Sequence, residues 1–143
     1  MISTRPSISS SEMTAGMVDT SVVIDWHDSD VISALPDEVA ISAITKAELA
    51  AGPHLAGTRA AAGRRQVRLQ EAEAMVSPVP FDAAAGRSYG LLVAAMIGAG
   101  RKPRNRFADL LITATAHANG LDLYTRNGDD LVGVSDLVRI VEI

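Results

Sequence analysis

Acidic and amide side chains stand at four points of this sequence where a short apolar run ends: Asp19, Glu48, Asp109 and the pair Asn127/Asp130. In an α/β fold, strand ends and the helix starts beside them converge on one edge of the sheet, so carboxylates far apart in sequence can meet there. Two carboxylates about 4 Å apart repel by roughly 4 kcal/mol at an effective dielectric near 20. We therefore predict that a cation binds among them.

The types of ligand narrow the identity of that cation. Oxygen ligands without a cysteine or histidine partner favour Mg²⁺ or Mn²⁺ over zinc, and these ions usually act on phosphates. The sequence has no cysteine, which excludes disulfides, thiolate zinc sites and cysteine nucleophiles, and its three histidines show no metal-binding spacing. The expected reaction is metal-assisted hydrolysis of a phosphodiester bond.

Basic residues form two clusters in a chain whose net charge is −4. One cluster lies on a predicted helix: Arg64, Arg65 and Arg68. The other directly precedes Asp109: Arg101, Lys102, Arg104 and Arg106. A charge run by itself is usually a solvated loop, but beside a candidate metal ligand it is equally consistent with a loop that grips RNA phosphates.

The length of 143 residues and the apolar content of 48% predict one domain with a substantial core. Residues 1–14 are rich in serine and threonine and lack an apolar period, so we predict a disordered extension there and the domain at 15–143. Met1, Met13 and Met17 are alternative starts. No apolar run approaches the roughly 20 residues that span a membrane. We expect a soluble protein in the reducing cytosol, that is, a cytoplasmic location.

Strand patterns alternate with helix patterns along the chain. Apolar runs predict strands at 17–19, 39–44, 76–80, 121–125 and 138–143. Helical patterns occupy 54–75, with interruptions at Gly57 and Gly63, then 82–98, 107–119 and a short piece of 126–131. This alternation predicts an α/β fold with a parallel sheet covered on both faces.

Several of the polar residues also have a purely structural interpretation as helix caps. Thr20 and Ser21 are natural N-caps for the helix that follows the first strand. Thr45 with Glu48 three residues later matches a capping box, in which Glu48 would turn back to its own helix end. Asp109 would lie in a first helical turn, where the helix dipole favours an anion.

Two further features are assigned no chemistry. The segment Gly86–Gly90 (GRSYG) matches the G-x-S-x-G pattern of hydrolases, but it lies inside a predicted helix instead of at a strand-to-helix turn. We interpret the match as chance. His117 near a helix C-terminus is expected to be a capping or surface residue, and Trp26 a packing residue.

Four segments follow one another in a specific order: VDTS at 18–21, ITKAEL at 44–49, ADLLITATA at 108–116, and TRN at 125–127 with Asp130-Leu131. In this order and at these separations they resemble the PIN-domain family, and within it the VapC-type ribonuclease toxins of type II toxin–antitoxin pairs. The likeness covers nearly all of 17–143. It implies a PIN-like α/β/α sandwich with a central, mostly parallel sheet of four to five strands.

The resemblance also implies an activity and partners. It implies an endoribonuclease that depends on Mg²⁺ or Mn²⁺, acts on an RNA such as tRNA or rRNA, and is inhibited by a cognate VapB-type antitoxin. Homodimers and toxin–antitoxin hetero-oligomers are expected. By the same resemblance Asp19 and Asp109 are metal ligands, and Glu48 holds the metal or orients water. Thr20 and Thr125 are the hydroxyl groups that would support these ligands.

The fourth acidic position departs from the family pattern. Many PIN domains carry an acid where this chain has Asn127, so Asn127, Asp129 and Asp130 are alternatives for that place. The number of metal ions, one or two, stays open with them. The departure also keeps a second hypothesis, a non-catalytic PIN-fold module that binds a partner and uses its acids as helix caps.

Overall fold

A computed structural model describes residues 13–143, apart from the side chain of Asn105. This part of the chain contains one sheet of four strands: β1 Ala15–Val18, β2 Glu38–Ala40, β3 Asp122–Thr125 and β4 Ile140–Glu142. The order across the sheet is β2-β1-β3-β4, and every neighbouring pair is parallel. The predicted α/β class is confirmed. The predicted extension at 1–14 falls outside the described residues except for Met13 and Thr14.

Helices make the crossovers that parallel strands require. The described residues contain six α-helices: α1 Thr20–Ile24, α2 Ser29–Ala34, α3 Ala43–Leu55, α4 Arg59–Met75, α5 Ala83–Gly98 and α6 Phe107–Ala118. Two 3₁₀ segments, Pro103–Arg106 and Gly128–Val134, precede α6 and follow β3. None of the helices in the described part combines the length and apolar character needed to cross a membrane.

The two central strands bury side chains on both faces of the sheet. Met17 and Leu123 enter one core together with residues of α5 and α6, whereas the next residues, Val18 and Tyr124, enter a second core with residues of α1 and α4. Successive side chains of a strand point to opposite faces, so both faces must be apolar. Trp26 lies in the second core, as expected for a packing residue.

Both predicted helix caps are displaced by a few residues. Asp19, not Thr20 or Ser21, is the N-cap of α1, and its side chain accepts from the Val22 N–H. Ser42, not Thr45, is the N-cap of α3, and its hydroxyl accepts from the Thr45 N–H at 3.0 Å. The apolar run at 39–44 concealed this helix start, because Ala43 and Ile44 fit a strand and a helix equally well.

Two further predictions, the strand at 76–80 and the interruption at Gly63, are wrong. The segment 76–80 is not a strand of the sheet. It forms only an isolated parallel bridge, between Val79 and Ser42. Gly57 lies in the break between α3 and α4, as predicted. Gly63 does not interrupt α4, since a single glycine costs a helix only about 1 kcal/mol.

The corrected cap of α3 predicts a stability difference. Ser42→Ala should lower the free energy of unfolding by about 1 kcal/mol, because the Thr45 N–H loses its acceptor. Glu48→Ala should change it by less than about 0.5 kcal/mol, since Glu48 does not cap α3. Denaturant unfolding of both variants measures the difference. If Ser42→Ala cost nothing, Ser42 would not be the cap that stabilises α3.

Candidate active site

The parallel pairing of β1 and β3 brings Asp19 and Thr125 together. Val18 lies opposite Tyr124, and the Asp19 N–H donates to the Tyr124 carbonyl at 3.0 Å, so both strands end at the same edge. There the Thr125 hydroxyl donates to Asp19 Oδ2 at 2.6 Å. Only 6% of Asp19 and 1% of Thr125 is exposed. One oxygen of the first candidate ligand is thus held by a buried hydroxyl 106 residues away.

The second oxygen of Asp19 is held by the start of α1. Oδ1 accepts from the Ser21 hydroxyl at 2.5 Å and from the Val22 N–H at 3.2 Å. Ser21 Oγ in turn accepts from the Arg126 N–H at 3.1 Å. Sequence reasoning treated Ser21 only as a cap. The signal for its role is its spacing, a hydroxyl two residues after an acid at a strand end.

Thr20, the residue after Asp19, contacts Glu48. The Thr20 hydroxyl donates to Glu48 Oε1 at 2.5 Å, and its oxygen lies 3.2 Å from Thr45 Oγ1. Glu48 therefore bonds to α1, and Ser42 instead of Glu48 caps the start of α3. This corrects the capping-box interpretation. The predicted supporting hydroxyls, Thr20 and Thr125, each contact one of the candidate acids.

Asp109 stands in the first turn of α6 and is half-buried. Burial raises the pKa of its carboxyl, and the negative charges of Asp19, Asp130 and Glu48 raise it further. Arg106 acts in the opposite direction. The four acids come from four separate parts of the chain, yet the charges of three of them act on the fourth. The carboxylates are near enough in the fold for their charges to act on Asp109.

The three alternatives for the fourth position differ in their surroundings. Asn127 is exposed, and its N–H donates to Thr125 Oγ1 at 3.0 Å. Asp129 is also exposed and is not among the charges that shift Asp109. Asp130 is half-buried, acts on Asp109, and forms an ion pair with Arg106 at 3.2 Å. Of the three, Asp130 is therefore electrostatically part of the acidic cluster.

The acidic cluster, defined as Asp19, Glu48, Asp109 and Asp130, has the donor chemistry of a site for a hard divalent cation. All its donors are carboxylate oxygens, and burial together with the three neighbouring negative charges raises the pKa of Asp109 even though Arg106 acts against it. Within the described residues, however, no three acidic or histidine side chains lie close enough together to hold an ion. The acids therefore fit such an ion by type, but their side chains do not form a ready-made site.

Cations line two cavities near the candidate acids. Arg101, Lys102 and Arg104 belong to the basic loop, residues 101–106, and line a cavity of about 780 Å³ beside Phe107. A second cavity, of about 440 Å³, opens between α3 and α4. It is lined by Thr20, Glu48 and the first basic cluster, Arg64, Arg65 and Arg68. Sequence reasoning did not place the first cluster near the site, because only the packing of α4 on α3 brings it there.

The G-x-S-x-G segment forms a buried polar contact in place of a nucleophile turn. Ser88 lies in α5, and its hydroxyl is 2.7 Å from His117 Nδ1 on α6. His117 is half-buried and joins the two helices, so the expected capping or surface position is wrong. Ser88 is inside a helix, which confirms that the motif match has no catalytic geometry.

Known proteins share both the sequence pattern and this arrangement of elements. A family model described as the PIN domain matches residues 16–136. The chain belongs to the PIN-domain family. Ribonuclease VapC8 of Mycobacterium tuberculosis is 36% identical over 105 residues, which span 73% of this chain and 93% of the relative. Ribonuclease VapC5 of the same organism is 33% identical over 117 residues, spanning 80% and 84% of the two chains.

Solved structures give the same result for this PIN domain. A chain of VapBC-5 from Mycobacterium tuberculosis, a member of the VapBC family of toxin–antitoxin systems, superimposes with a TM-score of 0.76 at 32% identity. The match covers 91% of this chain and 99% of that one. VapBC2 from Rickettsia felis matches at 21% identity with a TM-score of 0.70, which supports the fold alone. PIN-domain ribonucleases of the VapC type generally depend on a divalent cation.

The raised pKa of Asp109 predicts how stability depends on pH without metal. The folded state holds the Asp109 proton more tightly than the unfolded state, so the free energy of unfolding should fall as pH rises from about 4 through the raised pKa. Asp109→Asn should remove this part of the fall and be at least as stable as the parent at neutral pH. Thermal unfolding of the parent and of Asp109→Asn in EDTA at several pH values measures this difference.

Asp122→Asn is the matched control, because Asp122 lies at the opposite end of β3 and pairs with Arg139 at 2.8 Å. It should leave the pH dependence of the parent in place. If Asp109→Asn melted clearly below the parent at neutral pH, Asp109 would act mainly on the helix dipole of α6.

The buried contact between Thr125 and Asp19 predicts a second stability difference. Thr125→Val should destabilise the protein by about 1–3 kcal/mol, because Asp19 Oδ2 loses its buried donor. Thr125→Ser keeps the hydroxyl and should recover most of that loss. Denaturant unfolding compares the pair, and a Thr125→Val variant as stable as the parent, with Thr125→Ser below both, would show that the threonine acts only through its methyl group.

Proposed function

We propose that this protein is the toxin of a type II toxin–antitoxin pair, a VapC-type endoribonuclease that hydrolyses RNA phosphodiester bonds with Mg²⁺ or Mn²⁺. The observation that carries the proposal is the convergence of Asp19, Glu48 and Asp130 on Asp109 in a PIN domain. Its relatives named Ribonuclease VapC8 and VapC5 support the activity. The proposed place of action is the cytoplasm, where the RNA substrate is found.

Each residue of the site has a proposed role. Asp19 and Asp109 hold the cation, and Glu48 holds it or orients the attacking water. Thr125 and Ser21 keep Asp19 in one orientation, so that its carboxylate does not have to reorganise during the reaction. When bound, the cation supplies an activated water and stabilises the charge that develops on the phosphate oxygens.

Asp130 is the proposed fourth acid, and Asn127 and Asp129 remain alternatives. The negative charge of Asp130 raises the pKa of Asp109, and the ion pair with Arg106 holds Asp130 beside the last residue of the basic loop. Whether one or two cations bind depends on how far Asp130 turns toward the cluster. Because water and not the ribose 2′-hydroxyl attacks in this mechanism, the products should carry 5′-phosphate and 3′-hydroxyl ends.

The proposed partner is a VapB-type antitoxin that covers the acidic cluster. The solved neighbour VapBC-5 is a toxin–antitoxin system, which supports a partner of this type. An arginine from the antitoxin could pair with the uncompensated carboxylates, because guanidinium groups bind carboxylates bidentately. A homodimer and a toxin–antitoxin hetero-oligomer are the proposed assemblies.

Cleavage of a structured RNA pool tests the catalytic proposal. Antitoxin-free protein should cut at a few positions with Mg²⁺ or Mn²⁺ and not in EDTA. Asp109→Asn should lower the rate by about two orders of magnitude or more, because the site loses a charged ligand. End-group analysis of the fragments tests the predicted 5′-phosphate.

Two controls complete the assay. Asp122→Asn makes the same chemical change at the start of β3, at the opposite end of that strand from Thr125. This variant should cleave RNA as the parent does. A folded Asp109→Asn preparation that still cuts would point to a contaminating nuclease. Absence of cleavage by the folded parent with either metal, across tRNA and rRNA substrates, would favour the non-catalytic partner-binding module.

A further inference from the structure

The first residue of α6 presents an aromatic ring to solvent. Phe107 is 56% exposed, although it is one of only two phenylalanines in the chain. Its ring meets that of Tyr89 edge to face, with centroids 6.0 Å apart and planes at 87°. Such a contact occupies at most one face of the Phe107 ring, so the other face is available for a ligand.

The exposed ring lies within a large open cavity. Besides Phe107, the cavity of about 780 Å³ is lined by Tyr89 and Val93 of α5 and by residues of the basic loop. This volume falls in the range of about 300–1,000 Å³ typical of ligand sites. The wall is therefore partly aromatic and partly cationic.

The cations of this wall have no partner among the residues that the structure describes. The side chains of Arg101, Lys102 and Arg104 form no hydrogen bond or ion pair there, whereas Arg106 is paired with Asp130. Unpaired cations around an exposed aromatic ring are the arrangement by which proteins bind single-stranded RNA, with phosphates on the cations and a base on the ring.

We propose that this surface is a nucleotide subsite for the RNA substrate, in which a base stacks on Phe107 and the adjoining phosphates contact Arg101, Lys102 and Arg104. The proposal rests on the proposed ribonuclease function. Phe107 and Asp109 are two residues apart on one helix, so their side chains project to nearly opposite sides. The stacked base therefore belongs to a nucleotide that flanks the cleaved bond, in a single-stranded region.

Charge distinguishes RNA from a second copy of the chain as the occupant. A two-fold interface places the same patch on both subunits, so this surface would bring cations against identical cations. Like charges in such a contact are unfavourable, whereas phosphates neutralise them.

A pair of oligonucleotides separates stacking from charge. Binding of fluorescein-labelled U8 and of a labelled eight-residue abasic ribose phosphate chain is measured by anisotropy in EDTA, where no cleavage occurs. Phe107→Ala should weaken U8 binding about 5- to 150-fold and leave the abasic chain unaffected. Phe107→Trp should retain U8 binding. Arg104→Gln should weaken both probes alike and reduce the dependence on salt.

Further variants keep the test decisive. Phe107→Leu preserves apolar packing but lacks an aromatic face, so it should lose U8 affinity even if Phe107→Ala folds poorly. Leu55→Ala, another exposed apolar residue, should bind both probes as the parent does. Equal U8 binding by Phe107→Leu and the parent would overturn the proposal. If Phe107→Ala also changed a dimer to a monomer, the surface would be a subunit interface.

The binding assay tests the nucleotide subsite independently of the proposed ribonuclease function. Loss of U8 affinity in Phe107→Ala and Phe107→Leu would support the subsite even if the protein cleaved no RNA. Normal cleavage together with unchanged U8 binding would retain the ribonuclease and reject this subsite.

Discussion

Repulsion among the clustered carboxylates is the constraint on which the arrangement of this site depends. Burial raises the pKa of Asp109, and the negative charges of Asp19, Asp130 and Glu48, which come from other parts of the chain, raise it further. The fold tolerates this because the hydrophobic cores on both sides of the sheet hold β1 and β3 in register. Core packing thus sustains an electrostatic strain that a bound cation would relieve.

Hydroxyl groups hold two of the candidate acids in fixed orientations. Thr125 and Ser21 hold the two oxygens of Asp19, and Thr20 holds Glu48. Each hydroxyl is adjacent to a strand end or a helix start, where the backbone itself is well fixed. The first acid is therefore oriented before any ligand binds.

The surroundings of the acids explain how an acidic protein can bind RNA. The net charge of −4 is not spread evenly, since cations line one cavity that includes Glu48 and another beside Phe107. The start of α6 combines both functions within a few residues: Arg106 pairs with Asp130, Phe107 is exposed, and Asp109 faces the other acids. Local charge near the site, and not the total, governs contact with phosphates.

Sequence alone predicted the α/β class and the parallel sheet, because alternating apolar runs are a local pattern, and it named the candidate acids from carboxylates near the ends of those runs. It placed the cap of α3 at Thr45 instead of Ser42 and left a capping role open for Glu48, because local spacing cannot show that Glu48 accepts from Thr20 on α1. Only the tertiary structure brought Asp130 to Asp109 and placed Arg64, Arg65 and Arg68 beside Glu48. Those contacts depend on how helices pack against the sheet, which no local pattern encodes.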